Sequence, residues 1–271
     1  MLHHKDVGML MGWLLWANLA IAAQWQVLPD KGRVFSPLLA DPREATVRLG
    51  YMKDTETHAE IGLGGDWGLL AADGLQGQRL TLSARALMTS RFEFGSGAFD
   101  LVNIDYIGGV ALGYGQNNTH CELSLYHQSS HLGDEMMIPP AGRSAIRYHY
   151  EALRFLVDHT PCQGLRLYAG PSVRLRSVPE SLERHWGLQV GWEWRHAYRS
   201  IPFYVAMDVQ WRQFDHWQRD MTSQIGLLLG GKRQNPHRKR MFLEFHDGLS
   251  TMGQFYRESE HYVLAGLGVD W

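Results

Sequence analysis

Val263-Leu264-Ala265-Gly266-Leu267-Gly268-Val269-Asp270-Trp271 closes the chain. Val263, Ala265, Leu267, Val269 and Trp271 place small or apolar side chains at every second position. Successive residues of a strand face opposite sides, so the segment has one greasy face and a second face of Leu264, Gly266, Gly268 and Asp270. A soluble core or a lipid phase could each receive the greasy face, and the rest of the chain decides between them.

The same alternation recurs upstream. Leu165, Leu167, Ala169, Val173 and Leu175 alternate with Arg166, Tyr168, Ser172, Arg174 and Arg176. Trp186, Leu188, Val190, Trp192 and Trp194 alternate with Gly187, Gln189, Gly191, Glu193 and Arg195. Phe203 to Trp211 and Met241 to Phe245 repeat the pattern, with Asp208, Gln210, Arg212 and Glu244 on their polar faces. Core faces of small soluble sandwiches rarely tolerate such charge, whereas a barrel with lipid outside and a wet or ion-paired lumen accounts for both faces. Arg166, Arg174, Glu193, Asp208, Arg212 and Glu244 are therefore the expected lumen residues.

At the other end, Met1 to Lys5 is polar, Val7 to Ala17 is apolar, and Ala20-Ile21-Ala22 has the small-x-small form read by signal peptidase. Residues 1–22 read as a signal peptide cleaved after Ala22 or Ala23. The apolar run falls short of the roughly 20 residues a membrane helix needs, and no later stretch supplies one. An exported chain without such a helix still enters a membrane if its strands close into a barrel. The terminal strand then resembles the sorting signal of outer-membrane proteins, with an aromatic last residue and Gly266 five positions before it. That resemblance implies delivery by the barrel assembly machinery through the strand ending in Trp271.

Composition permits this reading: 271 residues, formal charge -2, 45% hydrophobic residues and a mean hydropathy of -0.28. The 29 Gly, 10 Trp, 11 Tyr and 10 Phe point further toward it, since barrels carry aromatic girdles at both interfaces. No domain-scale basic surface suits nucleic acid. Strands are expected near 45–53, 57–73, 78–94, 101–115, 119–131, 143–158, 164–178, 183–199, 201–214, 219–233, 239–250 and 258–271. The expected fold is all-β, an antiparallel outer-membrane barrel of about twelve strands over 45–271, with 23–44 a periplasmic lead. Turns at Asn117-Asn118, His159 to Pro161, Arg199-Ser200 and Pro236 to Arg238 fall on the periplasmic side, and longer loops near 132–142 and 249–257 lie outside. Cys121 and Cys162 would then meet at the periplasmic rim, where an oxidising compartment favours a disulfide.

Three stretches, Phe35 to Glu44, Asp100 to Tyr106 and Tyr126 to Glu135, are similar to the domain-of-unknown-function 1207 family of Gram-negative outer-membrane proteins. The resemblance implies location and architecture and no established activity. Within the third stretch, His127-Gln128-Ser129 resembles a short motif of outer-membrane phospholipase A and of lipid A 3-O-deacylase. That likeness implies Ser129 as nucleophile and His127 as base, acting on acyl esters of outer-membrane lipid. The Asn-Gly that follows in the phospholipase is Ser130-His131 here. On a strand His127 and Ser129 share a face, and Glu151 on the returning strand, or Asp134 or Glu135 in the loop, could orient the imidazole. Backbone amides near Gly133 or a calcium ion could serve an oxyanion, and Asp134, Glu135 and a loop carbonyl could by themselves hold calcium. Otherwise no cofactor and no transition-metal spacing is expected. Two readings stand side by side: a structural or passive-channel barrel, and a serine hydrolase of membrane lipid.

Overall fold

A computed structural model describes residues 24–29, 33–53, 56–94, 99–139, 141–180, 186–213, 216–229 and 238–270. The expected signal peptide, Trp271, and Pro236-His237 of the last expected periplasmic turn lie outside the described residues.

Among the described residues, thirteen strands form one sheet. A short β1 (Gln24–Val27) precedes β2 (Val47–Lys53), β3 (Thr57–Asp73), β4 (Gln78–Phe94), β5 (Phe99–Gln116) and β6 (Thr119–Leu132). After these come β7 (Tyr148–Cys162), β8 (Leu165–Val178), β9 (Trp186–Tyr198), β10 (Ile201–Gln213), β11 (Trp217–Leu229), β12 (Arg238–Leu249) and β13 (Ser259–Asp270). Each strand from β2 to β13 pairs antiparallel with the next, and β13 pairs with β2, Gly266 opposite Gly50, to close the ring. Closure of β2 to β13 into a ring is the condition for strands to cross a bilayer. No described helix is long and apolar enough to cross one.

The pleat sorts side chains as the alternation requires. On β13, Val263, Ala265 and Leu267 face out while Leu264, Gly266, Gly268 and Asp270 are buried. Along β10, Tyr204, Ala206, Asp208 and Arg212 point inward, and β12 buries Phe242, Glu244 and His246 between the exposed Met241, Leu243 and Phe245. The exterior is thus an apolar belt, rimmed by Trp186, Tyr198 and Trp217.

Short connections cluster at one end. Asn117 (φ 55°), and Arg199 and Ser200 (φ 47° and 69°), take left-handed conformations, as tight hairpin turns with right-handed strand twist demand. The turn expected at His159 to Pro161 lies instead at Gln163-Gly164, because β7 runs through Cys162 before Gly164 (φ 89°) reverses it. This shift separates the cysteines. Cys121 lies opposite Val157, so Cys162 sits five residues further along β7, about 16 Å at the usual strand rise. Bridging needs Cα atoms within about 7 Å, and both thiols are free.

A second departure concerns β8. Two of its residues, Arg174 and Arg176, oppose the consecutive Ala152 and Glu151 of β7. The extra residue is Leu175, and such a bulge turns the following side chain to the other face. Arg176, which the alternation places on one face with Arg174, is therefore exposed on the other.

Candidate functional site: a lumen filled from both ends

Every expected lumen residue, Arg166, Arg174, Glu193, Asp208, Arg212 and Glu244, points inward and is buried. Their charges do not line an open passage. Two of them, Arg166 and Glu193, bond to the segment 33–46, which lies inside the barrel where residues 23–44 were expected as a periplasmic lead, while Asp208, Arg212 and Glu244 bond to other wall residues. β1 and β2 pair with the same edge of β3, Gln24 to Val27 against Leu70 to Asp73 and Arg48 to Lys53 against Thr57 to Gly62. The described residues 33–46 thus lie between two strands that flank one edge of β3, a segment tethered to that wall on both sides. Phe35, Leu38, Leu39 and Ala40 are at most 1% exposed. Phe35 and Leu38 pack on Leu156 and Tyr168, and Leu39 and Ala40 on Met52, Tyr204, Phe242 and Leu264.

Pro37 and Pro42, and the absence of a regular ladder, leave the backbone groups of this loop to be satisfied by the wall. Arg166 donates to the carbonyls of Ser36 and Pro37 at 2.9 and 3.3 Å, while also holding Asp158 at 2.6 Å. Glu193 accepts from the Leu39 amide at 2.8 Å, and Arg240 donates to the Leu39 carbonyl at 3.0 Å. Asp41 accepts from Arg154, Gln189 and Gln210 at 3.0–3.3 Å. Arg33 reaches Glu122 at 2.8 Å and Glu44 at 2.9 Å. Buried polar groups left unpaired cost about 1–3 kcal/mol each, so wall and loop satisfy each other. Around Glu44, burial works to raise the carboxyl. The guanidiniums of Arg33, Arg85 and Arg154 outweigh it and hold the group at about 2.

The outer end is closed by the loop between β12 and β13. Ser250, Thr251 and Met252 are buried. The Gly253 amide donates to Asp105 at 2.9 Å, and a Cβ there would stand 2.5 Å from the Tyr148 ring. Arg91 ties this loop to the wall through Glu60, Thr251 and Glu260. Arg43 of the inner loop reaches the Thr251 carbonyl at 3.5 Å, so the two closures touch. Between them remains a cavity of about 70 Å³, bordered by Asp41, Arg43, Arg85, Arg154 and Tyr126. A polar cavity of this size has room for ordered water.

The residues singled out for hydrolysis lie on the outer surface. His127 donates from Nδ1 to Glu151 at 3.0 Å, the two facing each other across β6 and β7. Ser129 lies opposite His149, and the structure shows no hydrogen bond from its hydroxyl to His127. The nucleophile and base that the lipid hydrolases bring together are not joined here, and their resemblance finds no support. Ser130 points into the lumen and donates to Asn103 at 3.2 Å, while His131 stacks edge-on to Tyr106 outside. Gly133 donates its amide to the Val102 carbonyl, and a Cβ there would meet the Leu101 carbonyl oxygen at 1.6 Å. Gly133 is thus fixed by backbone contact. Asp134 and Glu135 begin a single helical turn and are exposed.

Arg33, Asp41, Glu122, Arg154 and Arg240 were not among the expected site residues. The wall and loop partners lie far apart in sequence, so alternation along single strands could not single them out.

A family model described as "Protein of unknown function (DUF1207)" matches residues 14–271. No curated protein matches the chain. Among solved structures, the chain is similar in outline to the KdgM porin, at 7% identity and a TM-score of 0.45 over 83% of this chain and 99% of that one. It is also similar to the COG4313 outer membrane channel from Pseudomonas putida F1, at 10% identity and a TM-score of 0.44 over 90% and 100%. The beta domain of the Bordetella autotransporter BrkA gives 10% identity and a TM-score of 0.40 over 83% and 98%.

Proposed function

The chain belongs to the family of proteins of unknown function designated DUF1207, and from that premise and its lumen we propose an outer-membrane barrel of the structural or passive-channel kind, held shut by its own N-terminal loop. The observation that carries this reading is the loop 33–46 inside the ring, with its carbonyls, amides and carboxylates taken up by Arg166, Arg240, Glu193, Arg154 and Gln189. A wall that only needed to be stable could pair its charges across strands, as Arg212 and Asp220 do. A wall whose charges are directed at a removable segment has a state in which that segment leaves. Both tethers of the loop sit on β3, so displacement needs no break in the ring.

In this reading residues 1–22 export the chain and are removed after Ala22 or Ala23. The assembly machinery then receives the C-terminal strand, and short turns face the periplasm. Planar-bilayer recording tests the proposal. The intact barrel is expected to be nearly silent, and a variant with residues 33–42 replaced by a Gly-Ser linker to conduct steadily. Silence of that variant, while it still shows the heat-modifiable mobility of a folded barrel, would leave a structural role and remove the channel.

A further inference from the structure

On the outer surface of β6 and β7, above the exposed Leu125 and Phe155 of the apolar belt, three side chains converge that neither the plug nor the barrel wall uses. Each of His127, His149 and Glu151 offers a ligand atom, and these atoms lie within 4.8 Å of one another. Strand register accounts for the meeting: His127 is directly opposite Glu151, and His149 is the diagonal neighbour two positions on. The imidazole rings of His127 and His149 stand 5.8 Å apart, tilted by 31°.

Two of the three carry a second, independent sign. Nδ1 of His149 and Oε2 of Glu151 are shut off from solvent with no hydrogen-bond partner, an arrangement that is costly unless a ligand supplies the missing contact. We propose that His127, His149 and Glu151 form a binding site for a divalent transition-metal ion, zinc foremost, at the outer edge of the membrane-facing surface. Two imidazoles and one carboxylate select zinc over calcium or magnesium, which take all-oxygen sets. Bonds of about 2.0–2.1 Å place tetrahedral ligands roughly 3.3 Å apart. Closing from 4.8 Å or less asks only for side-chain rotation, with the cross-strand backbone kept. Three protein ligands leave a fourth position, open because His127 is exposed, for water or an anionic headgroup oxygen. Sequence spacing could not show the set, since its members are separated by the whole loop between β6 and β7.

Zinc titration against a chromophoric chelator tests the site on the full mature chain folded in detergent. Loss of outer-shell partners alone weakens a metal about 10–100-fold, so His127→Ala, His149→Ala and Glu151→Gln should each weaken zinc by at least about tenfold. His131→Ala, on the same face outside the group, should leave it unchanged. Heat-modifiable mobility keeps folding separate from binding. If the wild type took up no zinc, or the three ligand variants bound it as tightly as His131→Ala did, the site would be overturned.

Discussion

Replacing Arg166 with Met should loosen the inner loop without emptying its packing. The guanidinium lies 4.7 Å from the Phe35 ring, and a Met stem retains much of that contact. The substitution removes two charged hydrogen bonds to loop carbonyls, Ser36 at 2.9 Å and Pro37 at 3.3 Å. Bonds to charged groups contribute about 1.5–3 kcal/mol each, and the longer one counts at the low end. Asp158 and Glu193 also lose Arg166, but Asp158 keeps His120 at 2.8 Å and Glu193 keeps Arg195 at 2.6 Å. That penalty belongs to the wall whether the loop is docked or not, and it cancels from docking. The net loss of docking is therefore about 3 kcal/mol, roughly a hundredfold in the undocked population at 1.4 kcal/mol per decade. A cysteine placed at Leu38, 1% exposed, in a Cys121→Ser, Cys162→Ser background reports it through its rate of maleimide labelling. An unchanged rate in a folded Arg166→Met barrel would refute the view that these bonds hold the loop.

Acid should act through Glu44: its carboxyl is held at about 2 against an ordinary 4.5, so its contribution is full above pH 4.5 and disappears as pH falls through about 2. Worth at most about 3 kcal/mol, this loss should raise Leu38→Cys labelling, normalised to that of a free thiol at the same pH, below pH 4 and not between pH 5 and 8, and Glu44→Gln should flatten the profile. Gly253→Val should unseat the outer loop, because a Cβ there meets the Tyr148 ring at 2.5 Å and Ser130 Cβ at 2.6 Å. Overpacking of this kind costs about 1–3 kcal/mol, and tryptic cleavage after Arg257 should be faster than in the wild type. Without reductant, mass spectrometry should find both cysteines alkylated in the folded barrel, the exposed Cys162 before the half-buried Cys121.

The wall was legible because lipid and lumen impose opposite demands on adjacent residues. Strand bounds from Gln78–Phe94 to Ile201–Gln213 match the expected ones within three residues except for β7, which begins five and ends four residues later, and the six inward charges were identifiable from period two alone. The loop was not legible for the same reason. Phe35 to Glu44 has no period, and the groups that bind it are remote: Arg33 meets Glu122 89 residues away, and Arg240 meets the Leu39 carbonyl 201 residues away. The bulge at Leu175 misdirected Arg176, since one extra residue is invisible in a pattern still alternating around it. A turn misplaced by three residues at the end of β7 was enough to suggest a bridge between Cys121 and Cys162.

Amide hydrogen exchange of the barrel in lipid nanodiscs tests the central claim, a lumen closed by its own tethered loop, most directly. Leu39 N donates to Glu193 at 2.8 Å and Leu38 N to Glu44 at 3.1 Å, both buried. Local opening sets exchange in such segments, so these two amides should exchange as slowly as strand amides of β10 and faster in Arg166→Met. Exchange of Leu38 and Leu39 at the rate of an exposed turn such as Arg199-Ser200 would contradict the account, leaving the barrel intact and its lumen open.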